Sequence, residues 1–124
     1  MTRETDGDGG TLMPPITFDE FLKVELRVGR IVRAEVFAEA RRPAYVLEVD
    51  FGEAIGVRRS SAQITDLHTP DELVGKLVVG VVNLPPKRIG PVVSECLITG
   101  FHDEVSRVVL CVPEGAVPLG TKLL

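Results

Sequence analysis

The stretch Leu26–Val36 constrains the fold more than any other part of the chain. It is long for a strand, rich in β-branched residues, and carries Gly29 inside it. An internal glycine in a long strand signals a bend or bulge, as a barrel requires where one strand serves two sheets. A second run, Tyr45–Phe51, alternates cleanly: Tyr45, Leu47, Val49 and Phe51 share one face, and Glu48 and Asp50 the other. A Gly-containing turn at Phe51–Ile55 leads to a third strand over Ile55–Ser60. Further strands are expected at Lys76–Val82, Ser94–Thr99 and Arg107–Val112, with a last short strand or extended tail in Pro113–Leu124.

Two short helices punctuate these strands. Thr17 followed by Glu20, and Thr69 followed by Glu72, are capping boxes in which each side chain covers an orphan backbone donor of the first turn. Pro70 suits the first helical position and Gly75 the stop. In the first helix Phe18, Phe21 and Leu22 fall on one face. Short strands, Gly/Pro turns and a helix between the third and fourth strands predict an all-β fold, a five-stranded OB-type barrel with short helices.

The length of 124 residues fits one domain with a real core. Residues 1–15 are Gly-, Asp- and Thr-rich and read as a flexible acidic arm, leaving 16–124 as the folded domain. The net charge of −4 comes from this end. Glu4, Asp6, Asp8, Asp19 and Glu20 face Arg3 alone, and residues 21–124 then hold 13 acidic and 13 basic side chains. A neutral body still permits a local basic patch. The N-terminus shows no hydrophobic signal region, and no run reaches the roughly 20 apolar residues of a membrane span. A cytoplasmic chain without membrane insertion is the expectation.

The chemistry expected is binding, not catalysis. Cys96 and Cys111 lie within apolar runs, without metal-ligand spacing, and read as reduced buried thiols; no metal and no cofactor is predicted. Ser60, Ser61, Ser94, His68 and His102 sit in no nucleophile elbow, and no phosphate-cradling glycine motif is present.

Binding candidates fall into three polar clusters. Arg41-Arg42-Pro43, between the first two strands, is either a solvated loop or an anion clamp. Arg58-Arg59-Ser60-Ser61-Ala62-Gln63 leaves the third strand, where alternation puts the two arginines on opposite faces. Asn83–Glu95 is a loop stiffened by Pro85-Pro86 and tipped by Lys87 and Arg88, which it is expected to hold outward. The face of strands 2 and 3, where many OB folds bind single strands, shows Glu48 and Asp50 and would repel phosphate.

The run Asn83-Leu-Pro-Pro-Lys-Arg-Ile-Gly-Pro-Val-Val-Ser-Glu95 resembles the signature of the tRNA-binding OB-domain family. Members are appended to some methionyl- and phenylalanyl-tRNA synthetases or stand alone. Phe21-Leu-Lys-Val-Glu-Leu-Arg-Val-Gly-Arg-Ile-Val and Ser60-Ser-Ala-Gln-Ile-Thr65 resemble in particular the CsaA-type secretion chaperones of that family. This resemblance implies a homodimer that binds unfolded preprotein segments or peptides in a groove near the dimer interface, with tRNA as the alternative partner. By this resemblance Asn83, Lys87, Arg88, Ser94 and Glu95 match the family's tRNA-contact positions, and with Arg58, Arg59, Ser60 and Gln63 of the third-strand cluster they make up the candidate peptide- or tRNA-binding site. Pro85-Pro86 and Pro91-Val92-Val93 make the loop less basic than in synthetase-appended members, which favours the peptide ligand.

Overall fold

In the computed structural model, residues 11–124 are described. The arm expected over 1–15 therefore lies mostly outside the described residues; the side chains of 11–15 are exposed. Strand β1 (Leu26–Val36) has the full predicted length. Its first half, Leu26–Arg30, pairs antiparallel with β4 (Leu77–Val81), and its second half, Arg30–Val36, with β2 (Tyr45–Asp50). One strand thus serves both sides of the barrel. The bulge that allows this lies at Val32, where the register slips between Ile31 and Arg33.

Gly29 has a different task from the one its position suggested. A Cβ there would stand 2.6 Å from Val49 Cγ1 and 2.7 Å from Phe51 Cε1. Gly80 on β4 faces the same ring, with a Cβ position 2.9 Å from Phe51 Cζ. The two glycines make the slot into which the fully buried Phe51 fits. Around it pack Ile31, Tyr45, Leu47, Val49, Val78, Leu73 and Cys96. The alternation of Tyr45–Phe51 is therefore the core face, as read from sequence.

Strand β3 (Val57–Ala62) pairs with β2 and starts two residues later than expected. Helix α1 (Phe18–Leu22) and helix α2 (Pro70–Leu73) both show the reciprocal capping-box bonds. Leu73 of α2 plugs the core, whereas α1 buries no residue.

After β4 the sequence reading needs correction. The expected loop over 83–93 contains a strand, β5 (Lys87–Ile89), paired antiparallel with β6 (Val92–Ser94). Gly90 has φ +58° ahead of Pro91, the positive-φ-first pattern of a II′ hairpin turn, which needs glycine at that point. The strand expected at Ser94–Thr99 is broken at Glu95-Cys96, and β7 (Leu97–Ile98) pairs with β4. Gly100-Phe-His, which lies between the strands expected at Ser94–Thr99 and Arg107–Val112, is strand β8 (Gly100–His102) paired with β9 (Val108–Leu110). The tail makes one bridge, Arg27 with Lys122. The main sheet runs β3-β2-β1-β4-β7. No helix among the described residues is long and apolar enough to cross a membrane.

Candidate functional site

The barrel closes between β3 and the β6–β7 junction through side chains as well as backbone. Glu95 N–H donates to Arg59 O at 2.7 Å, and Glu95 Oε1 accepts the Arg59 N–H at 2.9 Å. Ser94 Oγ accepts the Ser61 N–H at 3.2 Å and donates to Cys96 O at 3.3 Å. A side-chain acceptor replaces the missing ladder bonds where the strand breaks, so the exposed β3 edge stays satisfied. Ser94 and Glu95 are thus closure staples.

Asn83 is also engaged internally. Its Oδ1 accepts Glu25 N–H at 3.0 Å and its Nδ2 donates to Lys23 O at 2.7 Å. This pins the start of the ribbon to the link between α1 and β1. The same link holds the tail. Lys122 Nζ donates to Leu22 O at 2.9 Å and meets Glu25 Oε2 at 3.3 Å, while Glu25 Oε1 takes a 2.7 Å ion pair from Arg27. The Arg27 bond holds the Glu25 carboxyl below its ordinary value.

The remaining predicted residues divide by face. On β3, Ser60 is 1 % exposed, packed in the core beside Cys96, and a ligand cannot reach it in the closed barrel. Burial pushes the Cys96 thiol up to about 11, so it stays protonated and unreactive near neutrality. Arg58 is half-buried and donates to Val82 O at 3.3 Å. Arg59 faces outward, 3.9 Å from Glu48, which stands at the same distance from Arg33. Glu48 is therefore flanked by two guanidiniums, and the strand 2–3 face is less acidic than its own sequence suggested.

On the ribbon, register separates the two cations. Lys87 is opposite Ser94 and Ile89 opposite Val92, so these four share one face. Val92 and Ile89 on that face pack against Phe37, Ala44 and Val46, anchoring the ribbon on the outside of the barrel. Arg88 pairs with Val93 on the opposite face. Lys87 and Arg88 are both exposed, as expected, but they do not form one patch.

The Lys87 face borders a recess of about 310 Å³, lined by Ser61, Gln63, Leu84, Pro85, Lys87, Leu97 and their neighbours. Leu84 and Leu97 are half-exposed, at 50 % and 51 %. The recess thus combines apolar walls with one ammonium and one amide at its edge. Of the predicted site residues it gathers Gln63, Lys87, Ser94 and Glu95. Leu84 and Leu97 were missed. Cys96 points into the core, so period-two alternation already sends Leu97 outward. Among the described residues no group of His, Cys, Asp and Glu is placed to hold a metal ion.

An OB-type barrel with a half-apolar groove beside its β5–β6 ribbon defines a binding module. Residues 26–122 match the tRNA binding domain family, and the chain belongs to it. Among solved structures, chaperone CsaA of Bacillus anthracis str. Ames superposes with a TM-score of 0.83 at 45 % identity, covering 90 % of this chain and 100 % of that one. The CsaA chaperone protein of Picrophilus torridus gives 0.82 at 43 % identity, covering 89 % and 100 %. A MetRS related protein from Pyrococcus horikoshii gives 0.79 at 32 %, covering 90 % and 100 %. The methionine–tRNA ligase of Thermococcus kodakarensis is 37 % identical over 114 residues, 92 % of this chain and 15 % of that enzyme. The chain thus spans about 15 % of the length of such curated relatives.

Proposed function

We propose that this chain is a non-catalytic, CsaA-like export chaperone that holds unfolded preprotein segments, with residues 16–124 as the working domain. The carrying observation is the recess beside the ribbon, where Leu84, Pro85 and Leu97 lie next to Lys87 and Gln63. Apolar walls with a few polar groups suit an extended polypeptide, which offers side chains and backbone amides together. Two of the four cations first assigned to the site are engaged: Arg59 with Glu48, and Arg58 with Val82 O. That leaves little charge for tracking a phosphate backbone. The solved CsaA chaperones of similar fold support the same reading.

Self-association as a homodimer belongs to this proposal. Phe18 is 69 % exposed on α1, and Leu123 and Leu124 are exposed on the tail tied to it through Lys122. A second copy would cover this apolar surface. Ultracentrifugation at micromolar concentration is expected to show a dimer; a monomer overturns this part. A cytoplasmic location is part of the same reading.

The tRNA reading has one observation in its favour. Lys87 and Arg88 have no carboxylate partner among the described residues, within a family defined by tRNA binding. The deciding experiment measures binding of an unfolded preprotein segment and of tRNA side by side at low and high salt. The chaperone reading predicts polypeptide binding that changes little with salt. Binding of tRNA alone, with a steep loss of affinity as salt rises, would establish the second reading instead.

A further inference from the structure

A second recess of about 310 Å³ lies beyond the first, and Gln63 lines both. It is built by three separate segments. Arg42 comes from the β1–β2 connection, Gln63, Thr65 and Asp66 from the β3–α2 connection, and His102 and Ser106 from the β8–β9 hairpin. Five of these six side chains are hydrogen-bond donors. Among the described residues, none of the five is engaged in a side-chain hydrogen bond or an ion pair, in contrast to the stapled Asn83, Ser94 and Glu95. Ser106 is also held at φ +69°, a conformation usual for glycine, by an Asp103 carboxylate that accepts from Val105 N–H and Arg107 N–H. These bonds define the turn conformation that presents Ser106.

We propose that this recess binds the carboxylate of an acidic side chain on the same polypeptide whose apolar residue occupies the first recess. The inference rests on the peptide reading above and names what that groove selects. Arg42 supplies a planar fork matched to a carboxylate, and His102, Thr65 and Ser106 supply further donors around it. Asp66 in the same wall accepts readily from the backbone N–H groups of an extended peptide. Gln63 lines both recesses, so the two adjoin along the chain that leaves β3. On an extended peptide, residues two or four positions apart project to the same side and can reach adjoining recesses, whereas residues three apart point to opposite sides.

The test uses labelled, end-blocked peptides carrying one Leu and one Glu either two or four positions apart, in both orders, with Gln-for-Glu counterparts. Binding is read by fluorescence anisotropy on the full chain and on Arg42→Gln and Arg42→Lys. For the unaltered protein, Glu-to-Gln in the preferred order is expected to weaken binding about fivefold. In Arg42→Gln the same change is expected to have under about twofold effect, and Arg42→Lys is expected to fall between. Equal losses in all three proteins overturn the carboxylate site while leaving the peptide groove standing. Absence of binding by every peptide, with tRNA bound, removes the groove's peptide reading and this inference together. Arg42→Gln that weakens tRNA but no peptide reassigns the recess to phosphate and also overturns it.

Discussion

The slot around Phe51 and the ribbon over Lys87–Ser94 are built on opposite principles. At Phe51 two strands give up their side chains, Gly29 and Gly80, so that one ring can be enclosed on all sides. On the ribbon, side chains are retained and divided between tasks. Val92 and Ile89 fasten it to the barrel, Ser94 and Glu95 close the strand gap, and Lys87 is left over at the groove. The comparison shows that a family signature is not a contact map. Three of its polar residues, Asn83, Ser94 and Glu95, hold the frame that presents the others.

The largest effect should come from the slot. Phe51→Ala is expected to cost about 3–5 kcal/mol, read by denaturant unfolding, because a rigid slot cannot collapse around the void. Gly29→Ala should cost about 1–3 kcal/mol, since the new methyl meets Val49 and Phe51 well inside contact distance. A neutral result at either position would mean the slot is not the centre of the core.

Glu95→Ala is expected to lose about 1 kcal/mol and to speed amide exchange along the Arg59 edge of β3. Ligand affinity lost without any such loosening would make Glu95 a contact residue after all. Lys87→Ala inverts the pattern. Stability should stay within about 0.5 kcal/mol while polypeptide affinity falls several-fold. Arg88→Ala separates the two cations and should leave polypeptide binding nearly unchanged, because Arg88 lies on the ribbon's other face.

The smallest effect concerns His68. Burial holds its imidazole below its ordinary value of 6.5, and its buried Nε2 has no hydrogen-bond partner among the described residues. As pH falls, the unfolded chain takes up that proton first, so stability should decline once pH drops below about 6.5. Melting temperature between pH 7.5 and 5.5 should fall by a degree or two more, roughly, in the unaltered protein than in His68→Gln.

Much of the barrel was legible because it obeys local rules. Alternation placed Tyr45, Leu47, Val49 and Phe51 inside, and the capping boxes located both helices. The ribbon was read as a stiff loop because Pro85-Pro86 and Gly90-Pro91 are turn residues that mask the three-residue strands beside them. Gly29 was read as the bulge, whereas the bulge at Val32 follows from pairing with β2, which local sequence does not encode. For the site, residue types pointed to the right region. Their division into staples and contacts depends on cross-strand register, a long-range property. Leu84 and Leu97 escaped because an exposed leucine carries no signal until its neighbours in space are known.

The most direct test of the account is a backbone amide chemical-shift titration with an unfolded preprotein segment. Shifts are expected to concentrate at Gln63, Leu84, Lys87 and Leu97 and to spare the far face of the ribbon at Arg88 and Val93. Shifts centred on Arg88 and Val93, or on the Arg33–Glu48–Arg59 row, with the groove silent, would contradict it.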